Sequence, residues 1–279
     1  MTTLERIRYE NVAPGIARIV LARPDVRNAQ DKRTLYEVNE AFDLAAQDDS
    51  VKVLILAADG PHFSSGHDLR DRTPMSEHRT VSCWGGFDLP GSEGWMAVEE
   101  EIFLGLCWRW RNFPKPTIAQ VQGKAIAGGL MLIWSCDLIV ASDDAQFSDP
   151  VVAFGVNGHE FFVHAWEVGA RRAKEMLFTG GAIRAEEARM LGMVNHVVPR
   201  DELETFTLEL AGRITRMPSM GLKLAKQSVN QSLDSQGLWA AIQAAFSLHQ
   251  IGHAHNQQVY GEIIDPNGIP LIAELSRSS

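Results

Sequence analysis

Cysteine is scarce in this chain: Cys83, Cys107 and Cys136 are the only three in 279 residues, and their spacing matches no metal-binding pattern. An odd, scattered set argues against a disulfide framework and reads as reduced thiols in a cytosolic protein. Long apolar runs are also missing, and none approaches the ~18 residues of a membrane span. The start, Met1-Thr2-Thr3-Leu4-Glu5, has neither a basic region nor an apolar stretch, so no signal peptide is expected. Basic residues are outnumbered, 26 Lys and Arg against 35 Asp and Glu, for a net charge of −9. That balance argues against nucleic acid or an anionic membrane as the main partner. A small anionic ligand is still compatible, because its phosphates need only a local group of cations. The expectation is a soluble cytoplasmic protein.

What is present is apolar sequence in short periodic pieces. Hydrophobic residues make up 45% of the chain, enough for one sizeable domain with a helical appendage. Alternation over Ile7–Glu10 and Ile16–Leu21 around Pro14-Gly15 predicts a hairpin. Asp31 is placed to cap a helix from Lys32 to Gln47, with Leu35, Val38, Phe42 and Ala45 on its core face. Val53–Ala58 predicts a strand buried on both faces. The alternation recurs with Thr117–Val121, a helix beginning at Gly128-Gly129, and Leu138–Ala141. This favours an α/β architecture with crossover connections.

Residues 70–96 interrupt the rhythm with a long glycine-containing segment, in which Trp84, Phe87 and Trp95 either line a pocket or dock on the core. A helix is expected from Ala97 to Asn112, with Glu99-Glu100-Glu101 as its solvated first turn. From Asp201 the pattern is helical: 202–217, 218–232 and 238–255. His249 and His253 lie one helical turn apart, but with no glutamate beside them they are expected, with His255, to be surface or interface residues rather than metal ligands. The tail, 262–279, with Pro266-Asn267-Gly268 and Pro270, reads as a loop.

Two glycine-containing stretches carry chemistry. Gly128-Gly129 opens an apolar helix, where free N–H groups and the helix dipole favour an oxygen gaining negative charge. Close helix packing is the alternative use of such glycines. The second stretch is Phe63-Ser64-Ser65-Gly66-His67-Asp68-Leu69, following the buried strand. With Val121-Gln122-Gly123-Lys124-Ala125-Ile126-Ala127-Gly128-Gly129 downstream, it closely resembles the crotonase family, the enoyl-CoA hydratases and isomerases. Arg23–Ala29, Ser135–Ser142, Glu175–Gly180 and Leu191–Val194 agree in order and spacing over about residues 10–230.

The resemblance implies a spiral of β-β-α units over residues 1–200, a helical trimerisation region over 201–260, and a tail over 261–279. It implies an acyl-CoA or enoyl-CoA substrate, no cofactor beyond the coenzyme A of that thioester, and a homotrimer or dimer of trimers. The backbone N–H groups of Ser65 and Gly128 are then expected to hold the thioester oxygen. Arg27 and Ala29 would pass beside the coenzyme, Ser64 and Gly66 would bind the substrate, and His67 and Asp68 would either order the loop or touch the pantetheine. Lys223 and Lys226 could add cations from a neighbouring subunit.

The family's hydratases use two glutamates, and both are replaced here. Met131 stands three residues after Gly128, and Val151 follows Pro150. Substitutes are sought in Asp149 and in the pair His159-Glu160, near the position where the family's 4-chlorobenzoyl-CoA dehalogenases place a nucleophilic aspartate. Simple capping of a turn or helix is the alternative for each carboxylate. The expected activity is hydration of an enoyl-CoA; isomerisation, hydrolysis, other enolate chemistry, or silent acyl-CoA binding are its rivals.

Overall fold

The computed structural model describes residues 4–278; residues 1–3 and Ser279 of the tail lie outside them. The hairpin forms as β1 (Ile7–Ala13) and β2 (Ile16–Leu21), and Asp31 caps α1 (Lys32–Gln47) through the Thr34 N–H at 2.7 Å. β2 then pairs in parallel with β3 (Val53–Ala58), β3 with β4 (Thr117–Val121), β4 with β6 (Leu138–Ser142), and β6 with β9 (His196–Val198). Together with antiparallel β1 these make a six-stranded sheet in the order β1-β2-β3-β4-β6-β9. A smaller sheet, β5 (Lys124–Ile126), β7 (Gln146–Ser148) and β8 (Ile183–Arg184), stands beside it. Successive turns of chain thus give one strand to each sheet.

Period-two alternation explains why Val53–Ala58 is apolar throughout. Leu54 and Leu56 face the main core with α1, whereas Val53, Ile55 and Ala57 face a second cluster completed by Leu203 and Ala211 of α8 (Leu203–Thr215). The helix after Gly128 is α4 (Gly128–Trp134), buried along its whole length. The 201–260 region is helical as expected, in α8, α9 (Ser219–Ser235) and α10 (Leu238–Tyr260). No helix among the described residues is long and apolar enough to cross a membrane.

Three local expectations are corrected. The helix expected over 97–112 begins earlier, as α2 (Ser92–Glu99), passes through a π-helical turn at Glu100–Gly105 and ends as α3 (Leu106–Arg111). Its acidic run is not a solvated turn: Glu99 is 8% exposed and Glu101 fully buried. Glu101 accepts from the Tyr36 hydroxyl and from the Val81 and Ser82 N–H groups, so a carboxylate organises the loop that precedes the helix. The tail contains α11 (Gly268–Ser278) where a loop was expected. Pro270 sits in its first turn, where a missing N–H costs nothing, and Gly268 packs on Ala153 and Phe154, where a Cβ would lie 2.5 Å from the Ala153 oxygen. The remaining helices are α5 (His164–Val168), α6 (Ala170–Thr179) and α7 (Ala185–Leu191).

Candidate active site

The loops that leave the carboxyl ends of parallel β2, β3 and β4 lie side by side, as expected where open α/β sheets bind ligands. Ser64 joins them. Its buried hydroxyl donates to the Asn28 oxygen (2.8 Å) and accepts from Gln30 Nε2 (2.9 Å) and the Gly66 N–H (3.2 Å). Its main chain pairs with β5, accepting from the Ile126 N–H at 3.0 Å and donating to the Lys124 oxygen at 3.2 Å. Asn28 fixes the next layer by donating to the oxygens of Asp59 and His62, and Arg23 bonds the Ala29 oxygen and pairs with Asp68 at 3.2 Å. Asp68 therefore orders the loop, one of the two uses the sequence left open for it.

Among the described residues three non-glycine residues have positive φ, and all lie in this assembly: Arg27 at 54°, Asn28 at 51° and Ala127 at 47°. Such conformations cost of order 1–3 kcal/mol each and persist where their surroundings impose them. Ala127 is the residue that turns the chain into α4, its N–H bonded to the Ser148 oxygen at 2.9 Å. The turn leaves the Gly128 N–H at the start of a buried helix, without an intrahelical acceptor.

The second expected donor is engaged within the loop. The Ser65 N–H is already spent on the Arg27 oxygen at 2.9 Å, and the Gly66 N–H on Ser64. Among the described residues the next amide, that of His67, has no acceptor. His67 also adjoins α4: a Cβ on Gly128 would lie 2.7 Å from His67 Cε1 and 2.9 Å from Nδ1. A Cβ on Gly66 would lie 3.3 Å from the Gly128 nitrogen. His67 and Gly128 thus adjoin each other, and neither amide has an acceptor among the described residues.

Met131 is buried in α4, and Val151 is half-buried in a short 3-10 turn; neither carries a titratable atom. The residues proposed in their place divide into two groups. Glu160, 6% exposed, approaches His67 Nε2 at 3.5 Å through Oε2 and His249 Nε2 at 3.8 Å through Oε1. Burial pushes its carboxyl up, yet the two imidazoles outweigh that and hold it below the usual carboxylate range. Among the described residues neither His67 ring nitrogen nor Glu160 Oε2 has a hydrogen-bond partner, so the pair is buried and poised.

Asp149 belongs elsewhere. It is fully buried, accepts from the Val151 and His159 N–H groups, and bonds His164 Nε2 at 2.8 Å. Burial raises its carboxyl, but His159 and His164 bring it well below the ordinary value. These bonds make Asp149 a clamp for the 149–164 segment rather than a free base. His159 is packed with His164, at 4.4 Å between ring centroids, and with Trp134, at 5.3 Å. Burial pushes its imidazole down to about 3, so it is neutral near pH 7.

The sequence reading missed two contributors. The π turn sets Phe103 against the His67 ring, 3.8 Å between centroids, and puts Glu99 beside α10. His249 and His253 are buried against Glu99, not on the surface, while His255 is exposed as expected. The visible signals were the odd placement of three glutamates before an apolar run and the one-turn histidine spacing. At the periphery, Arg27 is exposed, Trp84 is 44% exposed and Phe87 packs on the core. Lys226 is occupied by Asp137 at 2.8 Å and the Lys115 oxygen, which leaves exposed Lys223 as the cation of that pair able to serve a neighbour.

Comparison with known proteins agrees with this geometry. A family model described as enoyl-CoA hydratase/isomerase matches residues 11–262. The Mycobacterium tuberculosis protein named Putative enoyl-CoA hydratase EchA13 is 47% identical over 266 residues, covering 92% of this chain and 83% of its own. Human Enoyl-CoA hydratase domain-containing protein 3, mitochondrial, is 34% identical over 223 residues, covering 78% of this chain and 68% of its own. The crystal structure of a probable enoyl-CoA hydratase from Mycobacterium smegmatis superposes with a TM-score of 0.85 at 49% identity, covering 93% of this chain and 99% of that one.

Proposed function

This chain belongs to the enoyl-CoA hydratase/isomerase family, and from that premise we propose that it hydrates an enoyl-CoA thioester with Glu160 and His67 in place of the family's two glutamates. The His67 and Gly128 amides hold the thioester oxygen. That oxygen gains charge as the enolate forms, so donors already aimed at it favour the transition state over the substrate. Glu160 takes a proton from water while the water oxygen bonds to the β-carbon. A proton returns to the α-carbon from Glu160 or His67, which completes addition of H and OH across the double bond. The observation that carries the reading is the 3.5 Å approach of Glu160 to His67, the residue whose own amide is free. A lone carboxylate also suits double-bond isomerisation, in which one base removes and returns a proton.

The experiment is loss of the enoyl thioester absorbance of crotonyl-CoA with the purified protein and with Glu160→Gln. The expected fall in kcat is ~10²–10⁴-fold. Turnover that survives the substitution rejects Glu160. If the unmodified protein leaves crotonyl-CoA intact but shifts the double bond of a 3-enoyl-CoA, isomerisation replaces hydration.

The same reading places the protein in the cytoplasm as a homotrimer or dimer of trimers. What supports self-association is the apolar surface on α9 and α10, with Met220 65%, Val229 62% and Ile251 63% exposed. Light scattering on the purified chain tests it; a monomer at micromolar concentration rejects it.

A further inference from the structure

Glu99, His249 and His253 meet where α2, the π turn and α10 pack together, beside Glu160. One oxygen or nitrogen of each lies within 4.8 Å of the others, and all three side chains are buried. His253 Nε2 is 2.9 Å from Glu99 Oε1, and His249 Nε2 is 3.9 Å from Glu99 Oε2. The second separation is too long for a hydrogen bond, as is the 3.8 Å to Glu160 Oε1. His249 Nε2 therefore faces two carboxylates without bonding either.

The outer contacts fix how the rings are presented. His249 Nδ1 lies 2.8 Å from the Gly158 oxygen, and His253 Nδ1 2.6 Å from the Ile263 oxygen. A carbonyl can only accept, so each Nδ1 carries the hydrogen, and in the neutral ring each Nε2 presents its lone pair inward. That is how metal-binding histidines are commonly held. Gln250 Nε2 donates to Glu99 Oε2 and sets the carboxylate plane in the same manner. Lone pairs of two imidazoles beside two buried carboxylates require positive charge among them.

We propose that Glu99, His249 and His253 bind a divalent first-row transition metal, of the class represented by Zn²⁺. Two imidazoles and one carboxylate suit such an ion better than Ca²⁺ or Mg²⁺, which prefer oxygen ligands. The ion fastens α10 to α2 and places fixed positive charge near Glu160. It departs from the metal-free expectation drawn from the sequence, and it holds whichever reaction the site performs. An imidazolium–carboxylate cluster without an ion is the rival arrangement.

The test is calorimetric titration of Zn²⁺ into untagged full-length protein that has been treated with EDTA and exchanged into metal-free buffer. A single equivalent is expected to bind, with affinity falling about tenfold or more in Glu99→Gln and in His253→Ala. His255→Ala, on the exposed side of the same helix, keeps the unmodified affinity. No binding by the unmodified protein, or equal binding by both site variants, overturns the proposal. Should the variants not fold, Co²⁺ loaded into the unmodified protein decides: a ligand-field spectrum of a four- or five-coordinate nitrogen–oxygen site supports it, and the spectrum of the hydrated ion overturns it.

Discussion

On its oxyanion side the site is made of main chain; on its proton-transfer side it is made of side chains. The first is built by loops whose bonds run between neighbouring strand ends, with Ser64 and Asn28 at the joints. The second is gathered from the 155–160 segment, the π turn and α10. Main-chain donors are insensitive to side-chain identity, which is how serine, glycine and histidine can stand in the 65–67 loop without loss of geometry. Proton transfer depends on which atom is titratable, and neither Met131 nor Val151 carries one, so the proposed hydration draws on Glu160 and His67 instead. In that proposal one half of the site keeps its form while the other relocates.

The comparison breaks first at Gly128. In Gly128→Ala the new methyl meets His67 Cε1 at 2.7 Å and Gln30 Oε1 at 3.0 Å, so the ring and both amides must shift. We expect kcat to fall ~10²–10³-fold, as for loss of one oxyanion donor, with little loss of secondary structure by circular dichroism. An unchanged kcat would mean that the Gly128 amide is not part of the hole.

A smaller effect is expected at the joint. Ser64→Ala leaves the Asn28 oxygen, Gln30 Nε2 and the Gly66 N–H short of a partner in a fully buried place. A loss of ~1–3 kcal/mol in urea unfolding is expected. If stability falls while the activity of the remaining folded protein is untouched, the joint supports the fold without aligning the amides.

The main-chain half was readable from sequence because its signals are local. Gly66, Gly128 and the buried strand Val53–Ala58 announce a loop and a helix start with little need for distant partners. Even there only the fold shows that the Ser65 amide bonds the Arg27 oxygen. Of the side-chain half, Glu160 was readable as a candidate but its partners were not, because the pairs are distant in sequence: Glu99 meets His253, and His67 meets Glu160. The sequence offered no glutamate near His249 and His253, and the fold supplies one, Glu99, from the end of α2. The π turn explains why an acidic run that resembles a solvated helix start is buried. Segment 268–278 was read as loop because of Pro270, although proline is at home in a first helical turn.

The side-chain half also carries an acid liability. His159 is held neutral by burial, with His164 and, least, His67 adding to that effect and Asp149 and Glu160 opposing it. Its imidazole is pushed down to about 3 in the fold from an ordinary 6.5, so between these limits the unfolded chain binds the extra proton. Stability is therefore complete above pH 6.5 and declines as pH falls toward 3, by at most ~1.4 kcal/mol per pH unit. Asp149, held below its ordinary value, adds to the loss in the lower part of that range. Urea unfolding across pH should show the upper part of the slope weakened in His159→Asn; an equal slope assigns it to other groups.

The smallest effect is expected at the rim, where Arg27 combines a main-chain and a side-chain task. Its carbonyl anchors Ser65, and its exposed guanidinium has no ion pair among the described residues. Substitution by alanine would confound the two tasks, because φ is 54° and alanine pays for left-handed backbone. Asparagine tolerates that conformation, so Arg27→Asn removes the charge and leaves the anchor. If the guanidinium meets a coenzyme phosphate, KM for an acyl-CoA should rise ~2–5-fold at unchanged kcat, the scale of an exposed ion pair of up to ~1 kcal/mol, and should rise less at high salt. A fall in kcat with KM unchanged would instead locate the importance of Arg27 in its main chain. An unchanged pair of constants would leave coenzyme binding to other cations, with exposed Lys223 the next to substitute.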